Sequence, residues 1–304
     1  MQFKHSRFYF FLATIAMLAT STEAANQIPQ FETTRMKGTA GAGVASLLMD
    51  EATFLNPASI AFYKKGSVYY QRSGIDSTQR PSNSSANPET QEFSSTSVIL
   101  SDAKGSTGGS FSYNDIDYQG QSKKRFAAAF AHPIGKKSSL GVTASYIKES
   151  VFNDNDILEE RDYKQSTFGI LHVVDESLSV GFTVHDPFRE KESETRATTG
   201  IQYLMKDIFT LMLDAGADYN SNLSDTVVWK AATQIRLFSD FYARFGTFND
   251  KGLKQKGTGV GLGWMQPRLN IEIAMKNTDL LESEQLQQTS EEIKETSFSL
   301  SYRF

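Results

Sequence analysis

The chain contains no cysteine. That excludes disulfides, thiolate metal sites and thiol nucleophiles. Beyond its first two dozen residues it has no apolar run approaching the roughly 20 residues that a membrane-spanning helix requires. Neither sign of charge is in excess: 31 Lys and Arg stand against 35 Asp and Glu, a net charge of -4. A balance so small and mixed gives no electrostatic case for nucleic acid, and no such partner is expected. The four histidines (His5, His132, His172, His185) are scattered without metal-ligand spacing. The many serines lack a nucleophile elbow. Gly41-x-Gly43 lacks the preceding strand and third glycine of a nucleotide-binding turn. The chain is therefore read as a non-enzyme, with no cofactor and no metal.

What is present begins with a leader. Lys4, His5 and Arg7 give a basic start, Phe8 to Leu18 an apolar stretch, and Thr22-Glu23-Ala24 small residues for cleavage. This is the secretory signal-peptide pattern, expected over residues 1–24. The alternative, a retained membrane anchor, needs a longer apolar stretch.

From about residue 66 the sequence alternates with period two. Phe298, Leu300, Tyr302 and Phe304 share one face, and Ser297, Ser299, Ser301 and Arg303 the other. Leu269, Ile271, Ile273 and Met275 repeat the device, as do Leu178, Val180, Phe182 and Val184. Successive strand side chains point to opposite faces, so each segment is half apolar and half polar. The pattern predicts about fourteen strands near 66–74, 94–103, 108–118, 125–133, 139–151, 162–174, 178–186, 196–204, 208–219, 226–238, 241–249, 255–266, 268–278 and 295–304. A mean hydropathy of -0.38 is compatible with membrane strands, because only every second residue meets lipid.

Connections alternate too. Short turns fall at Lys104-Gly105, Ile134 to Lys136, Asp175-Glu176, Lys206-Asp207, Ser239-Asp240 and Gln266-Pro267. Longer polar loops fall at 75–93, 119–124, 152–161, 187–195, 220–225, 250–254 and 279–294. This is the habit of outer-membrane barrels, with both chain ends on the short-turn, periplasmic side. A soluble sandwich or jelly roll also shows period-two strands, but rarely so uniformly for so long. A solenoid would show a fixed repeat, and none is found. The expected fold is an all-β transmembrane antiparallel barrel over residues 66–304, with lipid as its surroundings. The terminal Ser-Tyr-Arg-Phe304 on an alternating strand resembles the signature such barrels present to the barrel assembly machinery.

Residues 25–65 do not read as a barrel strand. Gly38 to Ala45 (GTAGAGVA) is small and glycine-rich, and leads to Asp50-Glu51-Ala52 and then Asn56-Pro57-Ala58-Ser59. Small residues let backbone pack close to a wall, and Asn-Pro favours a turn. Ala45 to Ala52 is expected to make a short helix. These motifs, over about 25 residues, resemble the N-terminal segment of the FadL family and the related PorV-like outer-membrane proteins. Ser59 stands where the family carries glycine. The resemblance implies a fourteen-stranded barrel with a hatch in its lumen, and Gly41, Gly43, Asn56, Pro57 and Ala58 as hatch or gating positions. It also implies transport of a hydrophobic, fatty-acid-like small molecule: capture at the outer loops, passage into the lumen, then hatch movement or lateral wall opening. The PorV-like alternative is a non-transporting barrel that docks or shuttles partners for secretion or surface attachment. The loops are short and polar beside those of fatty-acid transporters.

If the apolar face meets lipid, the polar face lines the lumen. Asp214, Asp218, Lys230, Arg236, Arg244, Glu272, Lys276 and Arg303 then point inward. Charges of both signs on neighbouring strands suggest pairing with each other or with the hatch, or a selectivity lining. Gly259, Gly261 and Gly263 share that face, either admitting the hatch or bending the strand. Trp229 and Trp264 fall on the lipid-facing register.

Overall fold

A computed structural model describes residues 28–79, 90–152, 157–283 and 290–304. The leader expected over 1–24 lies outside the described residues, as do 80–89, 153–156 and 284–289 within three of the expected loops. The first half of the sheet comprises β1 (Gly66–Gln79), β2 (Thr90–Asp102), β3 (Gly108–Tyr118), β4 (Gln121–Ile134), β5 (Ser138–Phe152), β6 (Leu158–Val173) and β7 (Leu178–His185). The second comprises β8 (Arg196–Met205), β9 (Phe209–Ala217), β10 (Val228–Arg236), β11 (Phe241–Asp250), β12 (Gln255–Met265), β13 (Leu269–Leu280) and β14 (Glu291–Arg303). Every strand pairs with its sequence neighbours, and β14 returns antiparallel to β1 in the register Ser67↔Arg303, closing a fourteen-stranded barrel. Closure leaves no open edge, which a membrane strand cannot tolerate.

The two faces of β14 decide what surrounds the barrel. Phe298, Leu300 and Tyr302 are exposed, whereas Ser297, Ser299 and Ser301 are buried. The same inversion holds at Phe130, Leu262 and Ile273, among the most exposed apolar side chains of the wall. A soluble sandwich buries such residues. Apolar side chains outward and small polar ones inward are what a lipid exterior requires. Trp229 is exposed on this outer face, and Trp264 stacks on Phe241 with ring centroids 6.4 Å apart.

Three expectations need correction. First, several strands reach further at the long-connection end than the alternation predicts. β1 runs to Gln79, β2 starts at Thr90, β6 at Leu158 and β14 at Glu291. There the outward residues turn polar, as at Arg72, Asp76, Lys148 and Lys164, so the sequence signal fades while the hydrogen-bond ladder continues. Second, the loop expected over 119–124 is a two-residue turn. Gln119 and Gly120 take φ of 52° and 74°, the paired left-handed conformation whose twist suits a tight hairpin. Third, Asp218 does not line the lumen. It lies past the end of β9, where its carboxylate accepts from Asn220 N at 2.9 Å and Ser221 Oγ at 2.5 Å.

Candidate functional site: a lumen filled by the N-terminal segment

Residues 28–63 pack against the inward faces of the strands, and Lys64 and Lys65 lead out to β1 exposed. A short helix, Thr34–Gly38, is opened by Thr33, whose Oγ1 accepts from Met36 N at 3.2 Å. A 3-10 turn, Pro57–Phe62, is opened by Asn56, whose Oδ1 accepts from Ala58 N at 3.1 Å. Pro57 suits the first helical position because its missing N–H would be unpaired there anyway. The helix expected over Ala45 to Ala52 does not form; the stretch is a series of turns. Its carbonyls are taken by side chains instead of by amides four residues on. Val44 O accepts from Asn56 Nδ2 and Ala45 O from Ser179 Oγ, both at 2.8 Å. Leu47 O and Leu48 O accept from the Tyr63 and Ser59 hydroxyls.

The wall admits this backbone because it lacks side chains where the segment passes. A methyl group at Gly141 would stand 2.4 Å from Ala58 N, at Gly169 2.2 Å from Asn56 Oδ1, and at Gly181 2.3 Å from Val44 O. Across the lumen, one at Gly246 would stand 2.2 Å from the Thr39 carbonyl carbon, and one at Gly259 2.0 Å from Lys37 O. Gly141 and Gly169 are register partners, as are Gly181 and Gly200, and Gly246 and Gly259. The bare patches therefore run from strand to strand. Of the stripe on β12, Gly259 and Gly261 abut the segment at Lys37 and Gly38, while Gly263 makes room for the Arg244 guanidinium. The paired glycines on other strands escape sequence reading, because only register sets them side by side.

Polar bonds hold the segment in place. Gly43, at φ 134°, aims its own N–H and that of Val44 at Asp214: Gly43 N to Oδ2 is 2.7 Å and Val44 N to Oδ2 is 3.1 Å. Lys230 Nζ donates to Gly41 O at 3.3 Å. Asn56 Nδ2 also reaches the wall at Ile170 O, 3.1 Å. Asp50 accepts from Ser67 Oγ at 2.5 Å and Ser301 Oγ at 3.0 Å.

Charge pairs complete the fixing. Glu272 Oε1 accepts from Arg244 at 2.9 Å and from Arg35 of the segment at 3.0 Å. Arg35 also lies 3.7 Å from Glu51. Lys276 pairs with Glu32 at 2.6 Å, and Lys37 pairs with Glu295. The pairing expected from mixed lumen charges thus runs largely between segment and wall. Buried, Glu51 has its carboxyl pushed up to about 7; Arg35 opposes this, and Asp50 and Glu272 add to it. Arg303 stands at the short-turn end with Nη2 3.1 Å from the Asn270 carboxamide. The partners Glu32, Arg35, Lys37 and Glu295 could have been sought in the sequence only as charges opposite in sign to those on the wall.

Two further features were not legible. At the long-connection end the connection 186–195 folds over the wall. Lys191 and Glu194 from it interlock with Lys123 and Glu149: Lys191–Glu149 2.9 Å, Lys123–Glu149 2.9 Å, Lys191–Glu194 3.3 Å. Burial alone would raise Glu194, but Lys123 and Lys191 hold it well below the carboxylate range. Beside it, Ile28 and Phe31 pack on an inward apolar cluster of Ile75, Ile116, Tyr118, Leu280 and Ile293. At the short-turn end, a chamber of about 310 Å³ lies between the segment and β8–β11. Arg236, the remaining expected lumen charge, lines this chamber.

By sequence, no protein-family model and no curated protein matches the chain. By structure, it resembles a Pseudomonas aeruginosa FadL homologue at 12% identity, covering 92% of this chain and 99% of that one with a TM-score of 0.61. It resembles the Ralstonia pickettii toluene transporter TbuX at 9% identity, covering 90% and 98% with a TM-score of 0.69. The Pseudomonas putida toluene transporter TodX matches over the same shares at 9% identity and a TM-score of 0.68. In fold, the chain is a FadL-like closed fourteen-stranded β-barrel.

Proposed function

We propose that the barrel passes hydrophobic small molecules, fatty-acid-like amphiphiles among them, across the outer membrane, with residues 28–65 as the gate. The observation that carries this reading is how the segment is held. It is a backbone laid over glycine patches and fixed by separable hydrogen bonds and ion pairs, with a chamber left behind it. Gly41, Gly43, Asn56, Pro57 and Ala58 are its hinge and latch positions. Gly43 presents the amides that Asp214 holds, and Asn56 ties two turns of the segment to β6. Toluene transport by the TbuX and TodX neighbours supports a hydrophobic cargo. The inward apolar cluster around Ile75 and Ile116 suits its entry.

A second reading is a non-transporting barrel that docks partners. The interlocked Lys123, Glu149, Lys191 and Glu194 at the long-connection end favour it, since paired charges are a poor surface for an apolar cargo. One experiment separates the two: single-channel conductance and toluene uptake by proteoliposomes, for the full chain and for a deletion of 28–62. Transport requires toluene uptake by the full chain and a pore opened by the deletion. Closed channels in both, with no uptake, leave the docking role.

A further inference from the structure

On the outer wall, β4 and β5 present their outward side chains as cross-strand pairs. Read from the long-connection end, these are Ser122↔Ser150, Lys124↔Lys148, Phe126↔Tyr146 and Ala128↔Ala144. Both lysines are exposed. Like charges directly opposite one another destabilise a sheet, so an anion seated between them relieves the pair. Lys164, opposite Tyr146 on β6, adds a third exposed cation one diagonal step from Lys148. The wall does not neutralise them. Asp115 on β3 stands opposite Lys124, and Asp162 on β6 stands opposite Lys148. Each carboxylate is turned toward a tyrosine instead: Asp115 Oδ2 accepts from Tyr113 OH and Asp162 Oδ2 from Tyr146 OH, both at 3.0 Å. Among the described residues, none of the three lysines lies within ion-pair distance of a carboxylate. Lys294, outward on β14, is by contrast paired with Glu292 at 3.2 Å. One step higher, Asp117 and Glu160 flank the serines from β3 and β6, which leaves the middle of the strip cationic. Below the lysines the lipid face begins. Tyr113 and Phe126 meet with ring centroids 4.9 Å apart, as aromatic residues do at a membrane boundary. Beneath them, Ala128 and Ala144 leave a shallow notch above the exposed Phe130 and Val142. Hydroxyls, ammoniums, aromatic rings and an apolar notch follow one another in the order of polarity of a lipid standing in a leaflet.

We propose that this column binds a phosphate-bearing lipid of the outer leaflet. Lys124 and Lys148 take the phosphate, the Ser122 and Ser150 hydroxyls donate to it, and an acyl chain lies in the alanine notch. Charge complementarity selects the phosphate. Continuity with the lipid-facing belt selects a lipid over a soluble anion. The site is outside the barrel, so it holds whether or not the lumen conducts.

The test titrates the full chain in detergent with lipid A, with the same lipid stripped of its phosphates, and with inorganic phosphate, read by native mass spectrometry. Saturable binding of lipid A, lost on dephosphorylation, is expected. Lys124→Gln with Lys148→Gln should weaken it by about tenfold or more, the loss of charge-assisted contacts. Lys124→Arg with Lys148→Arg should retain it, and Lys294→Gln should leave it unchanged. Without lipid, the double glutamine variant should unfold at the same urea concentration or a higher one, because a repulsion is gone. That separates lost recognition from lost folding. Lipid A binding unaltered by the double glutamine exchange overturns the proposal. So does equal binding of the dephosphorylated lipid. Displacement of lipid A by an equal concentration of inorganic phosphate also overturns it, and makes the column a site for a soluble anion.

Discussion

The two ends of the wall follow opposite rules. In the lower part, toward the short turns, apolar side chains point outward: Phe130, Leu262 and Ile273 are exposed, and Ser139, Ser299 and Ser301 are buried. In the upper part, β1, β3, β5 and β14 reverse the phase. Asp76, Asp117, Lys148 and Lys294 point outward, and Ile75, Ile116, Ile147 and Ile293 are buried. The backbone does not change; the solvent does. Below, the exterior is hydrocarbon and the interior polar. Above, the strands stand in water and must bury their apolar face inside, like an ordinary β-barrel. The period-two pattern therefore carries two messages, strand from its existence and surroundings from its phase.

Substitutions can break this contrast at both ends. The largest effect is expected inside the lower part at Glu272→Ala, which leaves the buried Arg35 and Arg244 without their shared partner. Removing one member of a buried pair typically costs about 3–5 kcal/mol, read as a fall in the urea midpoint of the refolded barrel. Next is the upper apolar cluster, where Ile116→Ala should cost about 2–5 kcal/mol as a core truncation. On the lower outer face the cost is reversed in chemistry: Leu262→Arg should lose about 2–4 kcal/mol if it lies near the bilayer midplane. That loss should vanish when the same substitution is made at outward positions of the upper part such as Asp76.

The segment supplies a pH test. Glu51 ordinarily titrates near 4.5 and stands at about 7 in the folded chain. The folded state thus holds the proton more tightly. Its contribution is full below about pH 4.5 and is lost as pH rises through 7, by roughly 3 kcal/mol at 1.36 kcal/mol per pKa unit. Proteolysis of the segment should accelerate over that window, and Glu51→Gln should flatten the profile. An unchanged slope in Glu51→Gln would assign the effect to another group. Two glycines give the last comparison, one of them with the smallest effect of all. Gly74→Ala meets nothing within 4 Å and should stay within about 0.5 kcal/mol. Gly246→Ala drives a methyl into the Thr39 backbone and should unseat the segment, measured as increased conductance with an intact barrel.

Gly41, Gly43, Asn56, Pro57 and Ala58 were singled out by the resemblance of the N-terminal motifs, with small residues for close backbone packing and an Asn-Pro turn as the local chemistry beside it. What these residues touch was beyond it. Asp214 and Gly43 are far apart in the chain, as are Gly169 and Asn56, and only barrel closure brings them together. The expected helix at Ala45 to Ala52 failed for the same reason: side chains from Asn56, Ser59, Tyr63 and Ser179 claimed the carbonyls that helix bonds would have used.

The sequence by itself pointed to about fourteen strands with one face toward lipid, because alternation is local and the exterior is uniform along it; closure of the sheet came from the β1–β14 pairing. It determined as well that the N-terminal stretch is not one of those strands. Only the tertiary structure decided where lumen charges pair and which glycines form a floor for the segment. Those outcomes depend on register across the closed sheet and on which side chain reaches a carbonyl first, and neither is written in the spacing of residues along the chain.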